Sequence, residues 1–231
     1  MDLVWSGSRQ ALALLAGADR EIWSILWLSL QVSGSATVIS LALGVPAGAA
    51  LALARFPGRA LLVSAVNTGM GLPPVVVGLF VTLVLWRSGP LGELEILYTP
   101  AAIVIAQAVI ATPIVTAITL AAVGQVPREF RLQLLGLGAS RAQMIWLTLR
   151  EARLPMLAAV MAGFGGIISE IGASMMVGGN IKGQTRTLTT AMVLETGKGN
   201  FEIAIALALL LLVLIFLVNW LLTAIQQRHA R

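Results

Sequence analysis

The residue in this chain that most needs a chemical explanation is Glu170, a carboxylate standing alone in the otherwise uncharged stretch 154–181. A carboxylate at the centre of a membrane helix costs on the order of 3 kcal/mol on insertion scales, so its side chain must face a cavity or a partner. Three roles fit it: a hydrogen bond between helices, a proton site, or part of a gated pathway. It lies within about two helical turns of the outer end of its span, read as 154–175, so shallow structural pairing stays open beside the other roles. Beyond it, Lys182 and Arg186 stand four residues apart in a Gly- and Thr-rich segment that also holds Thr185. That arrangement suits an anionic solute or partner, and equally a solvated loop whose side chains satisfy backbone groups.

Other motifs come close to known chemistry and stop short. Residues Gly178 to Thr185 differ by one position from a phosphate-binding loop, but Gln184 stands where the lysine belongs and no strand precedes it. Thr196-Gly197-Lys198-Gly199 is a weaker echo and reads as a turn. There is no His-Glu-x-x-His zinc helix and no Gly-x-Ser-x-Gly elbow, so a hydrolase lacks its metal or its nucleophile. There is no Cys for thiolate or disulfide chemistry. The one His, His229, sits in the terminal tail with no other ligands converging on it. We therefore expect no catalytic residue, no metal site and no cofactor in this subunit, which brings no energy source of its own.

The elements that must position Glu170 and its neighbours are written in the hydropathy. Of 231 residues, 58% are hydrophobic and 11% charged, against about 25% charged in a soluble domain. Uncharged runs cover 22–54, 60–86, 96–127 and 203–227, with 154–181 interrupted only by Glu170. Roughly 20 apolar residues cross a bilayer as a helix. The 9 Pro and 23 Gly do not fit the strict alternation of a membrane barrel. An all-α integral membrane protein follows: one domain over 1–231 with about five transmembrane helices.

Five spans put alternate loops on opposite sides, which gives the net charge of +5 a meaning. One side collects nine arginines (55, 59, 128, 131, 141, 150, 153, 228 and 231) against Glu129 and Glu151, a balance of +7. The other collects six cations against seven acids, a balance of −1. The positive-inside rule assigns the arginine-rich side to the cytoplasm, so the N-terminus is expected outside and the C-terminus inside. No aromatic-interleaved basic face supports a nucleic-acid partner. Asp2 precedes the first apolar stretch and no basic segment does, so a cleaved signal peptide is not expected. Residues 4–18 read as a short interfacial helix or a frayed terminus.

Along the first span, about 23–54, Ala36, Ser40, Gly44, Gly48 and Ala52 recur every fourth residue, a smooth stripe on which a neighbouring backbone can approach closely. Pro46 is expected to kink it. Arg55-Phe-Pro-Gly-Arg59 forms a tight loop. The second span, 60–85, holds Gly69-Met-Gly71-Leu-Pro73-Pro74, which must break or bend it. Such breaks are tolerated at membrane depth where they pack in protein or line a wet cavity. The third span is 98–123, with Pro113 inside. Segment 124–153 is amphipathic and charged; two short helices joined at Gly136 to Ser140 fit it, with Ser140 as a cap. The fourth span, 154–175, carries small residues at Ala158, Ala162, Gly165, Gly166, Ser169 and Ala173 as well as Glu170. The outer segment 176–202 is polar, and the last span, 203–226, reads as a lipid-facing anchor.

Segment 124–155 resembles the cytoplasmic coupling loop of ABC-transporter permeases, on the residues Leu137-Gly138-Ala139-Ser140-Arg141. It departs from the usual pattern at Leu132-Gln133-Leu134, where Glu-Ala-Ala is common, and at Leu149-Arg150, where Leu-Pro is common; Glu129 or Glu151 then stands in for the acidic contact. Ser169 to Arg186 is similar to the oxyanion permeases for molybdate, sulfate and tungstate. Thr189 to Thr196, Met70 to Leu79 and Arg87 to Gly92 are most similar to the tungstate type.

The resemblance implies a type I ABC importer permease fold and a bacterial or archaeal cytoplasmic-membrane location. It also implies a homodimer of this chain, a dimeric ABC ATPase on the cytoplasmic side, and an extracytoplasmic solute-binding protein that holds most of the selectivity. Coupling to the ATPase falls on Leu137, Gly138, Ala139, Ser140 and Arg141. The gate and pathway candidates are Pro73, Pro74, Ser169, Glu170 and Gly172. Lys182, Thr185 and Arg186 are candidates for contact with the anion or the binding protein. Molybdate or sulfate transport is the alternative within the group. A membrane scaffold without a translocation path is the alternative outside it.

Overall fold

The computed structural model describes residues 5–7, 9 and 20–228. Of the expected surface helix over 4–18, the four described residues are helical; the rest of that segment and His229 lie outside the described residues. Arg9 sits over the Trp5 ring, 5.4 Å from its centroid. Among the described residues there is no strand, and ten α-helices account for most of the chain.

Three helices are long and apolar enough to cross a membrane: α1 (Arg20–Leu53), α4 (Pro100–Gly124) and α10 (Phe201–Arg228). Two further passes are bent pairs. Helices α2 (Arg59–Met70) and α3 (Pro74–Leu85) meet at 101°, while α6 (Arg141–Glu151) and α7 (Arg153–Ile168) meet at 67°. With each bent pair as one span the count rises to five. The remaining helices are α5 (Arg128–Gly136), α8 (Gly172–Gly178) and α9 (Leu188–Gly197).

The small-residue stripe on α1 is the seam of the bundle. Ala36, Ser40, Gly44 and Gly48 are all buried against α4. A Cβ added at Gly44 would come within 2.8 Å of Val115, and one at Gly48 within 2.7 Å of Thr119. Backbones this close let the Ser40 hydroxyl donate across the seam to the Ala108 carbonyl at 3.3 Å, a class of bond averaging about 0.6 kcal/mol between membrane helices. In lipid the association of two helices depends on such packing and not on water exclusion. Pro46 and Pro113 are both absorbed inside continuous helices. Pro113 receives the end of α2, where a Cβ at Gly69 would lie 2.8 Å from its ring.

Three elements differ from their sequence reading. The fourth span does not run to 175. Helix α7 stops at Ile168 after 16 residues, about 24 Å of rise and short of the bilayer core. Glu170 therefore lies in a break and not within a helix. The polar segment 176–202 contains α9, started by a capping box in which Thr187 and Thr190 exchange side-chain and backbone hydrogen bonds. Finally, α10 is not wholly lipid-facing. Its residues Leu207, Leu210 and Leu211 pack into a core with Ile22, Ile25, Phe164, Ile168, Leu188 and Ala191.

Candidate functional site

The two helix breaks face each other. At the first, Gly71 ends α2 and Pro73, in extended conformation, precedes Pro74 at the first position of α3. A proline there loses no helical hydrogen bond, because the first-turn N–H groups have no partner within the helix. At the second, α7 ends at Ile168 and α8 starts at Gly172. A Cβ added at Gly172 would lie 2.6 Å from Val75 Cγ2, one residue past the prolines, and one at Gly78 would lie 2.8 Å from the Ala173 Cα. Pro73, Pro74, Glu170 and Gly172 thus belong to one junction, with α3 and α8 in backbone contact.

Several backbone groups freed at the second break find partners. The Glu170 carboxylate accepts from the Ala173 N–H at 3.0 Å, at the start of α8. The Glu170 carbonyl accepts from the Thr189 hydroxyl at 3.2 Å, tying the break to α9. Ser169 is exposed and its hydroxyl donates back to the Gly165 carbonyl at 2.9 Å. The Ile167 carbonyl accepts from the Gln107 side-chain amide at 3.0 Å, and the same amide reaches Ser174 Oγ at 3.4 Å. Gln107 escaped the sequence reading. Its signal was present, as the one amide side chain in the third span, 98–123.

One face of α7 beside this junction is bare. Ala158, Ala162, Gly166 and Ser169 are exposed, while Ala159, Gly163, Phe164, Ile167 and Ile168 form the buried face. A Cβ at Gly165 would meet nothing within 4 Å. These exposed small residues, unlike Ala159 and Gly163 on the buried face or the stripe of α1, do not serve intramolecular packing. They leave an uncharged, low-relief wall ending at Ser169.

In the segment after α8, Lys182 and Arg186 converge on one acid. Lys182 Nζ lies 2.6 Å from Glu21 Oε2, and the Arg186 guanidinium 3.4 Å from Oε1. This pairing joins residues at opposite ends of the chain and has no local sequence signal. Thr185 is buried. Its hydroxyl donates to the Gly178 carbonyl and accepts from the Ile181 N–H at 2.9 Å, so it staples the loop shut. A second acid, Glu195, is held below the ordinary carboxylate range, first by a hydrogen bond from the Asn200 side chain and then by one from Lys198.

On the arginine-rich side, α5 and α6 are joined as the glycine spacing implied. Gly138 takes a left-handed φ of +86° with nothing within 4 Å of an added Cβ. Its N–H and that of Ala139 close the helix end on the Leu135 and Leu134 carbonyls at 3.1 and 3.0 Å. Ser140 then starts α6 through a capping box with Gln143. Leu137 is 86% exposed and Arg141 is exposed too. Leu132, Leu135, Ile145 and Trp146 are exposed as well, an apolar surface of the kind that meets a protein partner or a membrane. Behind it, Val126 and Ala152 are buried with Val123 and Ala122, anchoring the pair of helices to the bundle.

Residues 44–231 match the family described as "Binding-protein-dependent transport system inner membrane component". The chain is 37% identical over 229 residues to the tungstate uptake system permease protein of Peptoclostridium acidaminophilum, covering 98% of this chain and 100% of that one. It is 44% identical over 184 residues to a probable anion ABC transporter permease protein of Haloferax volcanii, covering 78% and 79%. It is 33% identical over 179 residues to the molybdenum transport system permease protein of Escherichia coli K12, covering 74% and 78%. In fold it is similar to an inward-facing structure of the MetNI methionine ABC transporter, with a TM-score of 0.76 over 92% of this chain and 99% of that one at 18% identity. A chain with this bundle, these paired breaks and this exposed two-helix segment belongs to the binding-protein-dependent transport system inner membrane components, the permeases of ABC importers.

Proposed function

We propose that this chain is the permease subunit of an ATP-driven importer for a tetrahedral oxyanion, tungstate first. The observation that carries the reading is the end-to-end likeness to a tungstate uptake permease, 98% of this chain on 100% of that one. The structure supports a pathway in which desolvated anion meets small uncharged groups. The α7 wall of Ala158, Ala162, Gly166 and Ser169 is uncharged, and two broken helices adjoin it. A cavity of this kind can open and close by two packings of the same bundle, with no fixed charge to trap a dianion.

The site assignments follow. Leu137, Gly138, Ala139, Ser140 and Arg141 couple to a separate dimeric ATPase. Pro73, Pro74, Ser169, Glu170 and Gly172 form the gate region. Lys182, Thr185 and Arg186, with Glu21, form the outer segment facing a solute-binding protein. Two copies of this chain enclose the path, the bare face of α7 turned inward. The subunit spans the cytoplasmic membrane with the N-terminus outside and the C-terminus in the cytoplasm, in accord with the +7 and −1 charge balance of its two sides.

The decisive measurement is uptake of labelled tungstate by cells carrying the complete system, with molybdate and sulfate as competitors. Tungstate uptake that molybdate suppresses only in large excess, and that is lost with the ATPase, is expected. Uptake that persists without the ATPase, or a preference for sulfate, contradicts the reading.

A further inference from the structure

Four arginines from two separate segments line one cleft on the arginine-rich side of the bundle. Arg55 and Arg59 come from the loop between α1 and α2; Arg128 and Arg131 come from α5. The cleft encloses about 550 Å³. Among the described residues none of these four arginines forms an ion pair. Arg59 is fixed in place by its Nε–H, which donates to the Leu51 carbonyl at 2.7 Å. Arg131 Nε is buried and has no hydrogen-bond partner. A buried guanidinium N–H without an acceptor is costly, and four cations without counter-charge repel one another. Both features are relieved by one anionic group bearing several acceptor oxygens.

A second opening shows what kind of anion fits. Directly against the cleft runs an apolar groove between α1, α2 and α4, walled by Ala50, Leu62, Ala65, Val66 and Pro113. Ala54 and Phe56 line both openings. The groove follows α1 from Ala54 back to Ala47, about 10 Å along the helix axis. A free anion would use the arginine cleft alone. A charged head continuous with a hydrocarbon tail fills both. We infer that this chain carries a binding site for an anionic phospholipid, the phosphodiester held by Arg55, Arg59, Arg128 and Arg131 and one acyl chain lying in the groove.

The inference rests on the membrane reading of the chain and not on which anion is transported. The proposed orientation puts the site in the cytoplasmic leaflet, next to the segment that carries Leu137.

The test is native mass spectrometry on the full chain in neutral detergent, titrated with phosphatidylglycerol, phosphatidylcholine or inorganic phosphate. Phosphatidylglycerol is expected to bind the unmodified chain in clear preference to phosphatidylcholine. Arg128→Gln and Arg131→Gln should each weaken it about fivefold. Ala50→Trp and Ala65→Trp fill the groove and should weaken it by roughly tenfold without changing the response to phosphate. Equal binding of the two lipids overturns the proposal, and needs no variant to be read. Phosphate that displaces phosphatidylglycerol while the tryptophan variants bind lipid normally overturns it in favour of a free-anion site. Dimers lost in the tryptophan variants, with lipid binding unaltered, would assign the groove to a second copy of the chain instead.

Discussion

Gly78 on α3 lies against Ala173 on α8 so closely that a Cβ at Gly78 would come within 2.8 Å of the Ala173 Cα and 3.3 Å of its Cβ. The obstacle is backbone, which cannot rotate away as a side-chain end can. Gly78→Val should therefore destabilise the chain by about 1–3 kcal/mol. Thermal unfolding in detergent checks this, with Gly34→Ala as control, because a Cβ at Gly34 meets nothing within 4 Å. Equal melting temperatures for Gly78→Val and the parent would mean that α3 and α8 do not hold this contact in the membrane protein.

Glu170 can be separated from its charge. Its carboxylate accepts the Ala173 N–H at 3.0 Å, and a glutamine oxygen can accept the same bond. If capping is its work, Glu170→Gln keeps stability and uptake, whereas Glu170→Ala loses about 1 kcal/mol. Uptake lost in both variants would assign the carboxylate a charge-dependent part in the pathway.

Gln107 supplies the second donor to the severed end of α7, beside the Glu170 N–H that reaches the same Ile167 carbonyl at 3.1 Å. Gln107→Leu removes that amide and should cost about 0.5–1.5 kcal/mol. Because the bond spans the break, faster amide exchange over 166–174 is expected as well. Unchanged exchange there would remove Gln107 from the junction.

At the α5–α6 turn, Gly138 with φ +86° occupies a region that costs an L-residue about 1–2 kcal/mol. Gly138→Val should leave the subunit inserted yet reduce transport per ATP hydrolysed in proteoliposomes of the assembled transporter. Gly138→Asn should lie between, since asparagine tolerates this conformation. Transport of parental efficiency in the valine variant would dissociate this turn from coupling.

The segment around Glu195 should be acid-sensitive in a defined direction. Asn200, then Lys198, hold the Glu195 carboxyl below its ordinary 4.5. A group whose folded value is depressed contributes stability above its unfolded value and loses it as pH falls through the folded one. Asn200→Ala should thus melt below the parent at neutral pH. The two curves should converge once the pH drops well under 4.5. A difference that stays constant down to acid pH would show that Asn200 acts through something other than Glu195.

How much of this was legible depended on whether the determinant was local. The stripe Ala36 to Ala52 has a period of four, so its burial against α4 could be read from α1 alone. The glycines and prolines of 69–74 state their own break, and Ser140 with Gln143 spells a cap within one turn. The break at Ser169 to Ile171 was hidden because Gly172 and Ser169 look like packing residues, while the groups that hold it, Gln107 and Thr189, come from elsewhere in the chain. The Glu21 pairing with Lys182 and Arg186 was invisible for the same reason. Two pairs of arginines, 55 with 59 and 128 with 131, lie far apart in sequence and converge on one cleft only once α1, α2 and α5 are assembled.

The capping box on α6 bears on the timing of assembly. Ser140 and Gln143 satisfy each other within four residues, and Trp146 stacks under Arg150 one turn further on. The start of this helix is therefore satisfied within its own sequence and does not wait for α7 to α10. Whatever binds it then meets a stiff rod, not a chain to be ordered, so association carries little entropic penalty. In the proposed coupling role, a push at Leu137 would travel through the 67° elbow into α7 as displacement, where a slack loop would have absorbed it.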